Sequence, residues 1–303
     1  MRTRNRAFRG AATALVTPFT SDGEVDEKSL RALVDFQVRG GIDAIVPCGT
    51  TGENPTLTKE EHRRVFDIVV EQAHGRVKVF AGSGSNSTRE TIEKVRLARD
   101  AGADAALIVG PYYNKPTQEG YFQHYRTVAE AVDIPIIVYN VPGRTGGNIE
   151  ASTVLRLAEE VPAIRMVKEA SGNMQQIMEI ARHKPAGFSL LSGDDALTLP
   201  IIAVGGDGCI SVVANEVPAE FSRMVHAALK DQWKKARELN ALLLTLMNAN
   251  FVESNPIPVK AALAMMGRIE EVYRLPLVPL SAKHRPTLER VLRDMRLLRG
   301  TGR

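Results

Sequence analysis

A chain of 303 residues, 44% hydrophobic and 24% charged, has the length and composition of an ordinary globular enzyme with a sizeable core. No apolar stretch approaches the ~20 residues that span a bilayer, which excludes a membrane protein of the helical kind. The net charge of +4 is not a nucleic-acid footprint, because residues 281–303 hold seven Lys/Arg against Glu289 and Asp294, an excess larger than the whole chain's.

The first residues, Met1-Arg2-Thr3-Arg4-Asn5-Arg6, are basic like the start of a secretory signal. The apolar run that follows is short and stopped by Thr17-Pro18, so it reads as a first strand and the chain is expected in the cytoplasm. Short apolar runs then recur: Ala12–Val16, Ile42–Pro47, Val77–Ala81, Ala105–Val109, Ile134–Tyr139, Ile164–Val167, Phe188–Leu191 and Cys209–Val213. Segments of helical periodicity separate them. Thr58 with Glu61 predicts a capping box at one helix start, and Gly40-Gly41 and Gly102 are natural helix ends. Eight strand–helix alternations predict an α/β fold, a (β/α)8 TIM barrel over residues 1–230.

From about Asp231 the strand signal stops. Trp233–Ala249, Pro256–Gly267 and Arg285–Leu298 read as helices joined by turns at Asn255–Pro258 and Leu275–Pro279, a C-terminal helical extension over 231–303. In the last helix Leu288, Val291, Leu292, Met295 and Leu298 share a face, which makes its arginines a solvated face. Cys48 and Cys209 are too few for a disulfide framework and read as buried, reduced thiols.

In such a barrel the chemistry lies where strands run out into loops at their C-terminal ends. Those junctions offer Thr17-Pro18-Phe19, Gly49-Thr50-Thr51-Gly52-Glu53, Gly110-Pro111-Tyr112-Tyr113-Asn114, Tyr139 with Arg144, Lys168, Ser192-Gly193-Asp194-Asp195, and Ile210. Each has a bland reading: capping for the threonines, mouth packing for the tyrosines, a rim ion pair with Glu169 worth ~0–1 kcal/mol for Lys168. Their convergence favours chemistry, since a lysine and a tyrosine on successive strand ends are the parts of amine-based carbonyl reactions. A lysine in water has a pKa near ~10.4 and is a cation, whereas apolar burial favours the neutral nucleophile. No Asp/His/Glu set recurs at these junctions, so a metal-dependent aldolase is disfavoured.

Gly49–Glu53, Tyr139-Asn140-Val141-Pro142-Gly143-Arg144-Thr145-Gly146, Val167-Lys168-Glu169-Ala170 and Val252-Glu253-Ser254-Asn255-Pro256-Ile257-Pro258-Val259-Lys260 together resemble a known family. It is the pyruvate-dependent Schiff-base lyase and synthase family that includes N-acetylneuraminate lyase and dihydrodipicolinate synthase. The similarity runs from about Gly10 to Ser281, and Arg144 places it nearer the synthase branch, since sialate lyases typically lack that arginine. The resemblance implies a Schiff base between Lys168 and pyruvate, with Tyr139 as acid/base and Thr50 and Tyr113 as a proton relay, Tyr113 coming from a neighbouring subunit. Thr51 would hold the pyruvate carboxylate, Arg144 the carboxylate of L-aspartate-4-semialdehyde, and the carbonyls of Gly193 and Ile210 would line the pocket. It further implies a homotetramer built as a dimer of dimers, and neither cofactor nor metal.

Many synthases of this type are inhibited by L-lysine near the dimer interface, and His62, Asn86, Glu90 and Tyr112 match that site. Asn54, Pro55 and Lys59 depart from the pattern of strongly inhibited enzymes, so a polar pocket with little regulation stands as an equal reading. The runner-up function is an aldolase of a keto-deoxy sugar acid or sialate, with Asp194 and Asp195 binding hydroxyls. A non-catalytic binding protein on the same scaffold is a third, since fold alone does not fix function.

Overall fold

The computed structural model describes residues 7–298; the basic start at 1–6 and the last residues of the basic tail, 299–303, lie outside the described residues. Eight parallel strands close a barrel: β1 (Gly10–Ala14), β2 (Ala44–Val46), β3 (Lys78–Gly82), β4 (Ala105–Val109), β5 (Ile136–Asn140), β6 (Ile164–Glu169), β7 (Ser189–Ser192) and β8 (Gly208–Ser211). Gly10 pairs Gly208 to shut the ring. Every strand overlaps its apolar run. β1 ends before Val16 because the Val16 N–H leaves the ladder for the Asn215 side chain, 3.1 Å away.

Around the barrel run α1 (Glu27–Arg39), α2 (Lys59–Ala73), α3 (Thr88–Asp100), α4 (Gln118–Ala131), the single turn α5 (Pro142–Thr145), α6 (Ala151–Glu160), α7 (Met174–His183), α8 (Thr198–Ala203) and α9 (Pro218–Leu229). The helices start where side chains cap them. Thr58 and Glu61 bond each other's backbone N–H at the start of α2, and Asp26, Ser87, Thr117 and Asn173 cap α1, α3, α4 and α7.

Strand residues alternate between two apolar layers, as a period of two requires. Ala12, Ala14, Ala44, Val46, Phe80, Leu107, Ile137, Tyr139, Met166, Leu191 and Ile210 fill the lumen. Ile45, Ile108, Ile136, Val138 and Val167 face the helices instead. Phe8 closes the lumen from below, edge-on to Phe80 at 5.1 Å between ring centroids.

The alternation breaks once. Ile136 pairs Ile164 but Ile137 pairs Met166, so Arg165 is an extra residue in β6. Ile164 accordingly packs in the helix-side layer and Met166 in the lumen, two residues apart on opposite sides. From Met166 onward the even positions point inward.

Three helices follow: α10 (Trp233–Ala249), α11 (Ile257–Met265) and α12 (Arg285–Asp294). α10 packs on α9, and α12 on α10 and α11. Nearly all of α11 is buried, from Ile257 to Leu263, so it is an internal element rather than a surface cover. α12 stops at Asp294, short of the expected Leu298. Arg296 turns left-handed at φ 58°, its N–H donating to Arg293 O and the Leu297 N–H to Leu292 O. That is a Schellman ending built without glycine, which is why the sequence did not signal it. Its arginines are partly tied up, Arg285 to Glu271 and Arg293 to Glu289. No helix among the described residues is long and apolar enough to cross a membrane.

Candidate active site

Lys168 sits on β6 with Met166 two residues before it, so its side chain enters the lumen and is 5% exposed. Tyr139 is its register partner on β5, and the ammonium nitrogen lies 4.2 Å from the centre of the Tyr139 ring. Glu169, next in sequence, faces the opposite side. Its carboxylate accepts from Asn140 Nδ2, the Ser171 N–H and Gln176 Nε2 at 2.7–3.2 Å, in full burial. The rim ion pair between Lys168 and Glu169 is therefore not formed; strand alternation separates the two groups.

Gly193, at the end of β7, borders the lysine stem. A Cβ there would stand 2.6 Å from Ala170 Cβ and 3.0 Å from Lys168 Cε, so a side chain would displace the amine. Ile210 lies fully buried in the lumen layer on β8.

Above the strand ends opens a cavity of about 200 Å³, lined by Gly49, Thr50, Tyr112, Tyr139, Val141 and Arg144 among others. Of the residues expected for catalysis and substrate binding it brings together three, Thr50, Tyr139 and Arg144, while Lys168 is not part of its lining. Thr51 turns away from it: its hydroxyl accepts from Asn255 Nδ2 at 2.9 Å. Arg144 reaches the same segment, Nη2 donating to Asn255 O at 3.1 Å. Cys48 also lines the cavity, but burial pushes its thiol far above the ordinary range, so it is no nucleophile at neutral pH.

Tyr113 does not join the cavity. It is 89% exposed with φ 72°, a backbone strained for a side chain this large. Cys48, Glu53 and Lys115 are also left-handed, so non-glycine strain gathers at this end of the barrel.

Of the four residues matched to an effector site, Tyr112 lines the same cavity as Arg144. His62 is buried on α2, its Nδ1 2.9 Å from Thr58 O and its Nε2 without a protein partner. The Asn86 carbonyl accepts from Asn114. Glu90 accepts from the Ser85 hydroxyl at 2.8 Å, and the Lys94 ammonium lies 3.1 Å away. Lys94 also donates to Asn54 Oδ1 at 3.3 Å. The ammonium of Lys59 points to Glu93, 3.8 Å away.

Asp195 cannot bind a sugar hydroxyl. It is buried, and one oxygen accepts from the N–H groups of Val212 and Val213 at 3.1 and 2.8 Å. That removes half of the hydroxyl-binding pair expected for a sugar-acid aldolase.

Three contributors went unassigned in the sequence: Lys94, Asn255 and Lys260. Lys260 left a signal, a lone cation within the apolar run Ile257–Leu263.

A closed (β/α)8 barrel with a lysine in its lumen and a cavity over its strand ends defines a barrel enzyme with its site at the C-terminal face. The Dihydrodipicolinate synthetase family matches residues 7–295, and the chain belongs to that family. A 4-hydroxy-tetrahydrodipicolinate synthase of Koribacter versatilis (strain Ellin345) is 56% identical over 293 residues, covering 96% of this chain and 97% of its own. The crystal structure of dihydrodipicolinate synthase from Aquifex aeolicus superposes with a TM-score of 0.95 at 47% identity, covering 97% of this chain and 100% of that one. The enzyme from Cyanidioschyzon merolae, solved with lysine bound, gives 0.94 at 41% identity, covering 97% of this chain and 100% of that one.

Proposed function

We propose that this chain is a 4-hydroxy-tetrahydrodipicolinate synthase that condenses pyruvate with L-aspartate-4-semialdehyde through a Schiff base on Lys168, in lysine and diaminopimelate biosynthesis. The observation that carries the reading is the inward aim of Lys168, buried beside the Tyr139 ring under a cavity rimmed by Arg144. The neutral amine attacks the ketone of pyruvate, water leaves, and an imine forms. The imine acidifies the pyruvate methyl group, and loss of one proton gives an enamine. The enamine carbon bonds to the aldehyde carbon of the second substrate. Its amine then attacks the imine carbon, closing the ring and releasing Lys168.

Tyr139 gives and takes the protons of imine formation, and Thr50 passes them on. Thr51 and the backbone of its turn hold the pyruvate carboxylate, which requires the Thr51 hydroxyl to donate to substrate while accepting from Asn255. Arg144 grips the semialdehyde carboxylate, where a planar fork discriminates better than a lysine. The carbonyls of Gly193 and Ile210 face the imine. Tyr113 completes the relay in a neighbouring copy; its exposure and strained backbone support a partner-facing role. The working unit is then at least a dimer, with a tetramer as the family norm, made of barrels at 1–230 each carrying the extension at 231–303 and acting in the cytoplasm.

Borohydride added with pyruvate should trap a covalent adduct on Lys168 of the native protein and none on Lys168→Ala. Native protein that yields no adduct would sink the Schiff-base reading.

A further inference from the structure

Glu53 and Lys260 form an ion pair with both side chains fully buried, 207 residues apart in sequence. Neither lines the cavity. The ammonium of Lys260 lies 4.4 Å from the centre of the Phe19 ring and 5.1 Å from that of Tyr273. The second oxygen of Glu53 accepts the Arg274 N–H at 3.2 Å. Glu53 directly follows Thr50-Thr51-Gly52 in the chain, so the pair is tied to the turn that carries both threonines.

That turn is tightly held. The Gly52 N–H donates to Gly49 O and the Glu53 N–H to Thr50 O, at 3.0 and 3.1 Å, while the Thr17 hydroxyl donates to Gly52 O at 2.7 Å. Glu53 closes it at φ 55°. A glycine would take that conformation without strain, but it lacks the carboxylate that Lys260 and Arg274 hold. A buried ion pair adds little net stability over an apolar pair of the same shape, because both charges lose their water. What it does supply is a defined position, since each charge has one place where it is satisfied.

We propose that Lys260 is a positioning residue for the reaction: its pair with Glu53 sets the Thr50–Thr51 turn against the lumen, so that α11 holds the pyruvate edge of the site. Asn255, just before α11, adds a second hold on the same turn through Thr51 and a hold on Arg144. The inference rests on the function proposed above.

The measurement is the pyruvate concentration that half-saturates borohydride trapping, set beside Tm. Lys260→Met alone strands the Glu53 carboxylate and risks unfolding. The double variant Glu53→Gln with Lys260→Met removes both charges at similar shape. Its Tm is expected near that of the native protein, while half-saturating pyruvate rises about tenfold or more, because a small displacement of a binding group has a large effect on geometry. A double variant with native Tm and native half-saturation overturns the proposal. Should the double variant not fold, Glu53→Asp alone, which keeps both acceptor oxygens for Lys260 and Arg274 but sets them back by one methylene, takes its place. A raised half-saturation there supports the proposal and a native one overturns it. No adduct on the native protein sinks the Schiff-base reading and this inference with it; a native adduct with unchanged pyruvate dependence in the variants sinks this inference alone.

Discussion

Lys168 and Tyr139 occupy the same rung of neighbouring strands, and the amine rests over the ring of the tyrosine, 4.2 Å from its centre. The ring and the phenol of Tyr139 thus have separable jobs. Tyr139→Phe keeps the ring face that packs on the amine and removes the phenol proposed as acid/base. Its kcat should fall by ~10²–10⁴ while Tm stays near native. A phenylalanine variant with native kcat would remove Tyr139 from the proton path.

Arg144 tests the second substrate. It touches Asn255 O with one nitrogen and borders the cavity, leaving the rest of its fork for a carboxylate. Arg144→Ala should retain pyruvate trapping on Lys168 and lose about 3 kcal/mol of transition-state binding, a factor of ~10² in kcat/KM for the semialdehyde. Loss of both trapping and turnover would contradict the role.

Tyr113 tests the shared site. Lys168→Ala and Tyr113→Phe should each be nearly inactive when pure. Mixed under conditions that exchange subunits, heterodimers pair an intact Lys168 with an intact Tyr113 in one of their two sites. Activity should then recover to about a quarter of native, as half the dimers regain one site each. A mixture as inactive as its components would place Tyr113 outside the neighbouring site.

Lys94 bears on regulation. Its ammonium lies 3.1 Å from Glu90, the carboxylate that the resemblance offers to the ammonium of an amino acid. The protein is expected to keep more than about half its activity in ~1 mM L-lysine, since an internal cation competes for the same carboxylate. Lys94→Ala should increase the inhibition. Strong inhibition of the native protein, unchanged by the substitution, would show that Lys94 leaves the site open.

Stability should fall in mild acid through His124. Burial lowers its pKa from 6.5 to about 4, and its Nε2 has no protein partner. The unfolded chain therefore takes up a proton first as pH drops through 6.5, and the loss continues until about 4, where the folded state is protonated too. This one group should cost ~2 kcal/mol at pH 5 relative to pH 8. Denaturant unfolding of the native protein and His124→Phe at both pH values measures it; an equal pH dependence in the two would exclude His124 as the source.

The barrel was legible because its signals are local. Apolar runs, the Thr58 capping box and Gly40-Gly41 each declare themselves within a few residues. Lys168, Tyr139, Thr50 and Arg144 were legible as candidates for a related reason: each lies at, or within a few residues past, a strand end that the pattern locates. Thr51 and Asn255, or Glu53 and Lys260, meet across 204 and 207 residues, and nothing near either partner announces the other. The end of α12 was missed for a different reason, because an arginine occupies the left-handed position where glycine usually marks the stop.

The extra residue Arg165 in β6 bears on how this chain tolerates changes of length. Upstream of it the strand keeps one phase and downstream the other, and Lys168 lies in the downstream phase. A chain lacking Arg165 would run straight from Ile164 to Met166 and still aim the amine into the lumen. A chain with one residue added between Met166 and Lys168 would turn the amine toward the helices and put the carboxylate of Glu169 in its place. Within β6, the aim of Lys168 survives the loss of a single residue upstream but not the gain of one downstream.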